Sequence, residues 1–202
     1  MFNGILLKEY ALPPVNEKEL LRYAGCKTPD AALKSLISEC VAEAAGINGG
    51  VIKGRVCYRA FTVDELFSSL GDYAESKLVR LRFQDANYAL AFAATVGIEF
   101  DRLVAKYSQI ALTKSVLFQA LGGERIESLC DVFQADVQAA CAAKGYVANE
   151  RFSAGYGDFS LQAQTWFFSA LDCPRKIGLT LNSSLLMTPT KSVTGLIACK
   201  KR

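Results

Sequence analysis

Arg151-Phe152-Ser153-Ala154-Gly155-Tyr156 is the stretch that decides how this chain folds and what it can hold. It lies in a glycine-rich loop, just past one long helical pattern and just before another. Within six residues it places a cation for a carboxylate, a glycine that lets backbone approach closely, and an aromatic face. Together these suit a small molecule with an amino-acid end and a nucleoside end. On chemistry alone a surface arginine beside a turn would read the same way, so the flanks must be brought in.

Upstream of the loop, a helical pattern runs from about Ile110 to Lys144. Ile126, Leu129, Cys130, Phe133, Val137, Ala140 and Cys141 form one apolar stripe. Gly122-Gly123 sits in its middle, where each glycine costs about 1 kcal/mol against alanine; the pair predicts a break or a close approach by another element. Glu127 and Asp131 stand one turn apart on one face. Two such carboxylates could take a metal or an amine, with a solvated face as the default.

Downstream, Leu161 to Leu171 reads as a helix stopped by Cys173-Pro174, followed by β-like stretches near Ile177–Leu181 and Ser192–Cys199. Lys191 and Ser192 are adjacent on such a strand, so they point to opposite faces and cannot act as a pair.

Towards the N-terminus, Pro13-Pro14 breaks an arm, Asn16 caps a helix over Glu17–Tyr23, and Thr28-Pro29-Asp30 starts a second. Gly46 and Gly49-Gly50 end that helix. Val51 to Phe61 alternates, with Val51, Arg55, Cys57, Arg59 and Phe61 on one face. A helix is expected over Asp72–Phe83, a buried strand over Tyr88–Val96, and a helix over Ile98–Tyr107. Ala93–Gly97 could cradle a phosphate, but a tight strand-to-helix turn accounts for it, and no dinucleotide or P-loop fingerprint is present. Mixed helices and strands without regular alternation predict an α+β fold.

Composition narrows the chemistry. The 202 residues contain no histidine, which removes imidazole metal ligands, histidine-based nucleophile pairs and histidine acid–base catalysis. Any reaction must draw on a bound cofactor, a carboxylate, a lysine or a tyrosine. A net charge of +3 is too small for a nucleic-acid footprint, and Lys200-Lys201-Arg202 reads as a solubilising tail. No apolar run reaches the roughly 20 residues of a membrane span, and residues 1–25 lack a signal-peptide pattern. The 7 scattered cysteines form no C-x-x-C pair and read as reduced thiols, so a cytoplasmic location is expected.

From about Tyr10 to Ala198 the chain resembles the reactivation domain of cobalamin-dependent methionine synthase in its standalone bacterial form. Leu20-Leu21-Arg22-Tyr23-Ala24-Gly25, Phe92–Gly97 with Asp101-Arg102-Leu103, and Arg125–Asp131 match in order. The strongest match is Arg151–Asp158, the family's R-x-x-x-G-Y loop. Ile177–Leu181 and Lys191–Thr194 follow.

The resemblance implies a single domain over 1–202, with a helical arm to about residue 48 and a curved antiparallel β-sheet flanked by helices. It implies S-adenosylmethionine binding by Arg151, Ser153, Gly155, Tyr156 and Glu127, with no catalytic residue and no metal. Arg151 would pair with the ligand carboxylate and Glu127 with its amine. Backbone around Ser153–Gly155 would read the adenine, and Tyr156 would lie against the ribose or sulfonium.

It further implies cobalamin carried only on a partner, either a methionine synthase or another corrinoid protein, and a flavodoxin-type electron donor. The chain would then be a methyl-donor component of methionine biosynthesis acting in trans, since a chain without histidine lacks the D-x-H-x-x-G of a cobalamin domain. A docking module that has lost ligand binding is the reading from another class. Two features of the family domain have no counterpart here, an N-terminal aspartate contact and a late tyrosine beyond the segment matching Lys191–Thr194.

Overall fold

The computed structural model describes residues 4–47, 49 and 52–202. The chain runs β1 (Leu6–Ala11), α1 (Glu17–Tyr23), α2 (Ala31–Ile47), β2 (Lys53–Thr62), α3 (Val63–Leu70), a 3₁₀ turn (Gly71–Glu75) and α4 (Lys77–Phe83). There follow β3 (Tyr88–Thr95), α5 (Glu99–Ser108), α6 (Leu112–Ala142), β4 (Tyr146–Ala148), a 3₁₀ turn (Leu161–Ala163) and α7 (Gln164–Leu171). The last elements are α8 (Cys173–Ile177), β5 (Thr180–Leu181), β6 (Met187–Thr188) and β7 (Ser192–Lys201). Among the described residues no helix is long and apolar enough to cross a membrane.

Five strands form one antiparallel sheet in the order β1-β2-β3-β7-β4. The fold is therefore α+β, with a curled sheet and helices on both faces. Alternation on β3 shows why both faces are covered. Phe92 and Ala94 enter the core beneath α6, while Ala89, Ala91 and Ala93 enter the core beneath α7 and α8. Small side chains on that second face let the short helices lie close to the sheet. Cys57 and Phe61 on β2 join the same core as these alanines, and Val56 and Tyr58 belong to the other.

α6 is one uninterrupted helix of 31 residues. Gly122-Gly123 marks close approach, with no break. A Cβ on Gly122 would stand 2.9 Å from Cε and Cγ of Lys191, so the missing side chain makes room for the lysine stem. Lys191 is thereby buried on the face opposite Ser192, whose hydroxyl bonds Thr95 and Pro189. Burial lowers the Lys191 pKa, and Asp101 offsets this in part.

Local expectations meet the structure unevenly. Asn16 accepts from the Glu19 N–H at 3.3 Å and caps α1 as its sequence requires. The expected helix over 72–83 is instead a 3₁₀ turn and α4, separated at Ser76, whose side chain caps the Val79 N–H. Cys173-Pro174 starts α8, since proline is tolerated in a first helical turn. The N-terminal arm is not wholly helical, because Leu6–Ala11 pairs with β2 as an edge strand. Of the stretch near Ile177–Leu181 only Thr180–Leu181 is extended. The readings placed on Gly50 and Val51 lie outside the described residues.

Candidate functional site

The loop after β4 is tied to the sheet before it reaches its key residues. Asn149 N–H donates to Ala198 at 2.8 Å, and Phe152 exchanges backbone bonds of 3.0 and 2.8 Å with Leu196. Arg151 stands between these tethers, so its side chain leaves a fixed backbone. Opposite, α6 presents Glu127 and Asp131. The Arg151 Nη2 donates to Glu127 at 3.0 Å and to Asp131 at 2.8 Å.

Both pairs use one nitrogen. Among the described residues Nε and Nη1 of Arg151 make no hydrogen bond, so three of the five guanidinium N–H donors are uncommitted. The side chain of Arg151 is 20 % exposed and that of Asp131 is 71 % exposed. The cation is therefore held inside while its anionic partner reaches solvent and can be displaced. Burial works to lower the Arg151 pKa, and the Cys130 sulfur with Asp131 and Glu127 outweighs it, leaving the pKa above the ordinary value. The cation persists at every physiological pH. Burial pushes the Cys130 thiol beneath it up to about 12.

After Phe152 the chain turns back sharply. Gly155 has φ +92°, a conformation that L side chains rarely adopt, and a Cβ there would meet Leu161 at 3.2 Å. Its N–H donates to Phe159 at 2.7 Å. The N–H groups of Ser153 and Ala154 make no internal hydrogen bond among the described residues.

Asp158 anchors the far side of the loop. Its carboxylate accepts from Ser76 Oγ at 2.8 Å, the Lys77 N–H at 2.6 Å and the Leu78 N–H at 3.0 Å, capping α4. The Leu78 N–H, then Ser76 and the Lys77 N–H, lower its pKa to about 2.

These elements enclose a cavity of about 770 Å³. Arg151, Glu127, Ser153 and Tyr156 all line it, which brings four of the five expected residues together. Gly155 shapes the turn and is not part of the wall. Tyr156 is 67 % exposed, an aromatic face standing at the mouth.

Asp131, Arg82 and Gln164 also line the cavity and stand outside the five expected residues. Asp131 completes the charged cluster, and its one-turn spacing from Glu127 was the available signal. Arg82 brings a second cation, 5.7 Å from the Phe152 ring centroid. Gln164, at the start of α7, has no signal in sequence because a polar residue on a short helix is ordinary.

The cavity therefore offers a cation with unused donors beside two carboxylates, the complement of an α-amino-acid zwitterion. Its wall also carries Ser153, Ala154 and the aromatic Tyr156, surroundings suited to a flat polar ring.

No protein-family model matches the chain, and no curated protein matches it. Among solved structures it is similar to a crystal structure of the MetH reactivation domain bound to AdoHcy. The TM-score is 0.68 at 15 % identity, and the match covers 96 % of this chain and 78 % of the other. Such overlap across nearly the whole chain, at an identity too low to carry function, shows the architecture: the chain has the fold of the MetH reactivation domain.

Proposed function

We propose that this protein binds S-adenosylmethionine in the Arg151 cavity and supports reductive methylation of cobalamin held on a separate methionine synthase. The observation that carries the reading is the partly committed Arg151 between Glu127 and Asp131, in a fold that a known reactivation domain shares.

The ion cluster would work by exchange. The ligand carboxylate displaces Asp131 from Nη2 and pairs bidentately across Nη2 and the neighbouring free Nη1 or Nε, a fork that arginine offers and lysine does not. Glu127, or Asp131 released from Nη2, takes the ligand ammonium. Each charge lost from the internal pairs is replaced by one on the zwitterion, so the net charge of the cluster is conserved. Backbone N–H groups of Ser153 and Ala154 meet the base, and Tyr156 covers the ribose or sulfonium.

A sulfonium already activates its methyl group. Reduced by a flavodoxin-type donor, the partner's cobalamin would supply the nucleophile. No proton need be moved, so the chain requires no general base and its task is to bind and to aim. Exposed Tyr156 leaves the methyl-bearing end open towards a partner.

Calorimetric titration with S-adenosylmethionine tests this reading. Saturable binding to the wild type that is lost in Arg151→Ala supports it. No binding at millimolar ligand would overturn it and leave a docking role.

A further inference from the structure

Gln164 opens α7 and is 8 % exposed, and in sequence it lies between Ala163 and Phe167, which are fully buried. It lines the Arg151 cavity. Its side-chain oxygen is buried and has no hydrogen-bond partner among the described residues, and its nitrogen makes no hydrogen bond either. Buried amides in folded proteins are nearly always paired, so one left wholly unspent in a cavity wall points to a ligand.

Gln134 provides the contrast. Its oxygen is also unpartnered, but its nitrogen donates to the Asn149 carbonyl at 2.9 Å, and it is not part of the cavity wall. Gln134 ties α6 to the loop. Gln164 ties nothing to anything.

We infer that Gln164 reads the N6/N7 edge of the adenine base, giving the site a preference for a 6-aminopurine. The inference rests on the S-adenosylmethionine reading above. The charged end of such a ligand is met by Arg151, Glu127 and Asp131, which leaves the ribose hydroxyls and the base edge as polar groups to be matched.

Two vicinal hydroxyls call for acceptors. A primary amide instead presents one acceptor and one donor side by side in a plane. That pair is complementary to the N6–H donor and N7 acceptor of adenine, the pairing glutamine makes with adenine in nucleic-acid recognition. Leu78, Phe152, Ala154 and Met187 supply apolar surface in the same cavity for the faces of the ring. A 6-oxo base cannot be accommodated by rotating the amide, because Oε1 would then face N7, acceptor against acceptor.

The test is calorimetric titration of the whole protein with S-adenosylhomocysteine, its deaminated S-inosyl analogue and its 7-deaza analogue. In the wild type the adenosyl ligand should bind about tenfold or more tightly than either analogue. Gln164→Leu should lower adenosyl affinity to the level of the analogues and erase the ranking. Gln164→Glu, which keeps the shape but has no donor when ionised, should also lose the N7-dependent preference. Neither change removes a hydrogen bond within the fold, so the thermal midpoint of Gln164→Leu should be unchanged or raised.

Wild-type ranking preserved in both variants would overturn the role of Gln164 and leave the site itself standing. Failure of the wild type to bind any of the three ligands would overturn the S-adenosylmethionine reading, and this inference with it.

Discussion

α6 carries two charged clusters one turn apart, and they do opposite things. Arg125 and Glu124 are 1 % and 3 % exposed. Arg125 Nη2 donates to Glu124 at 2.6 Å and to the Pro14 carbonyl at 3.3 Å, Nε donates to Glu124 and Nη1 to the Pro13 carbonyl, and Glu124 accepts the Asn16 N–H at 3.1 Å. Every nitrogen of that guanidinium is spent on the protein, and the result pins the N-terminal arm to the helix. Arg151, with Glu127 and Asp131, has spent one nitrogen of three. Charge type and spacing do not separate a scaffold from a site here. What separates them is whether the donors are used up.

The largest expected effect is on stability. Arg125→Ala leaves Glu124 buried and unpaired and should cost about 3–5 kcal/mol in urea unfolding. Arg151→Ala leaves only carboxylates that solvent can reach, and should cost no more than about 1 kcal/mol. Similar losses in both would erase the distinction.

Ligand affinity should show the reverse order. Arg151→Ala should weaken S-adenosylmethionine binding by about 1.5–3 kcal/mol, the scale of hydrogen bonds to a charged group. Arg125→Lys, where folded, should bind within a factor of about three, which corresponds to roughly 0.6 kcal/mol.

The same helix, just before these clusters, allows a sharper, smaller test. Gly122→Ala drives a Cβ into the Lys191 stem and should destabilise by about 1 kcal/mol after its propensity gain. Gly123→Ala meets only the Tyr23 ring at 3.7 Å, an ordinary contact, and should stabilise by up to about 1 kcal/mol. Denaturation midpoints moving in opposite directions would show that one glycine is needed for packing and its neighbour is not.

The mildest test is acidic. Asp158 has a folded pKa lowered from 3.8 to about 2, so the stability it contributes is fully present above the unfolded value and is lost as pH falls from about 4 through 2. Asp158→Asn should flatten the fall in urea midpoint within that window. An unchanged slope would remove Asp158 as the loop anchor.

The fold was legible wherever one residue controls one local event. Asn16 caps α1, the alternation on β2 assigns its faces, and the stripe from Ile126 to Cys141 marks α6. It was less legible where a short element depends on a distant partner. α4 begins at Ser76 because Asp158, 82 positions away, bonds its first turn. α3 carried no expectation from sequence, and its start is fixed by the Thr62–Glu65 capping box, with reciprocal bonds of 2.8 and 3.2 Å. β1 needed β2 as a partner to be a strand at all.

The site divides along the same line. Resemblance placed Arg151 and Glu127 in one pocket, although 24 residues separate them and no periodicity links loop to helix. The geometry adds Asp131 to the cluster and moves Gly155 out of the wall. Unspent hydrogen-bonding capacity, on Arg151 and on Gln164, cannot be read from a sequence because it is a property of what the rest of the fold fails to supply.

The most direct measurement is a crystal structure of the protein with S-adenosylhomocysteine. The expected result is the ligand carboxylate paired with Arg151 through Nη2 and its neighbour Nη1 or Nε, in place of Asp131, and the ligand ammonium against Glu127 or Asp131, with the Arg125–Glu124 cluster unchanged. A ligand whose amino-acid end lies elsewhere, with Arg151 still closed on both carboxylates, would contradict it.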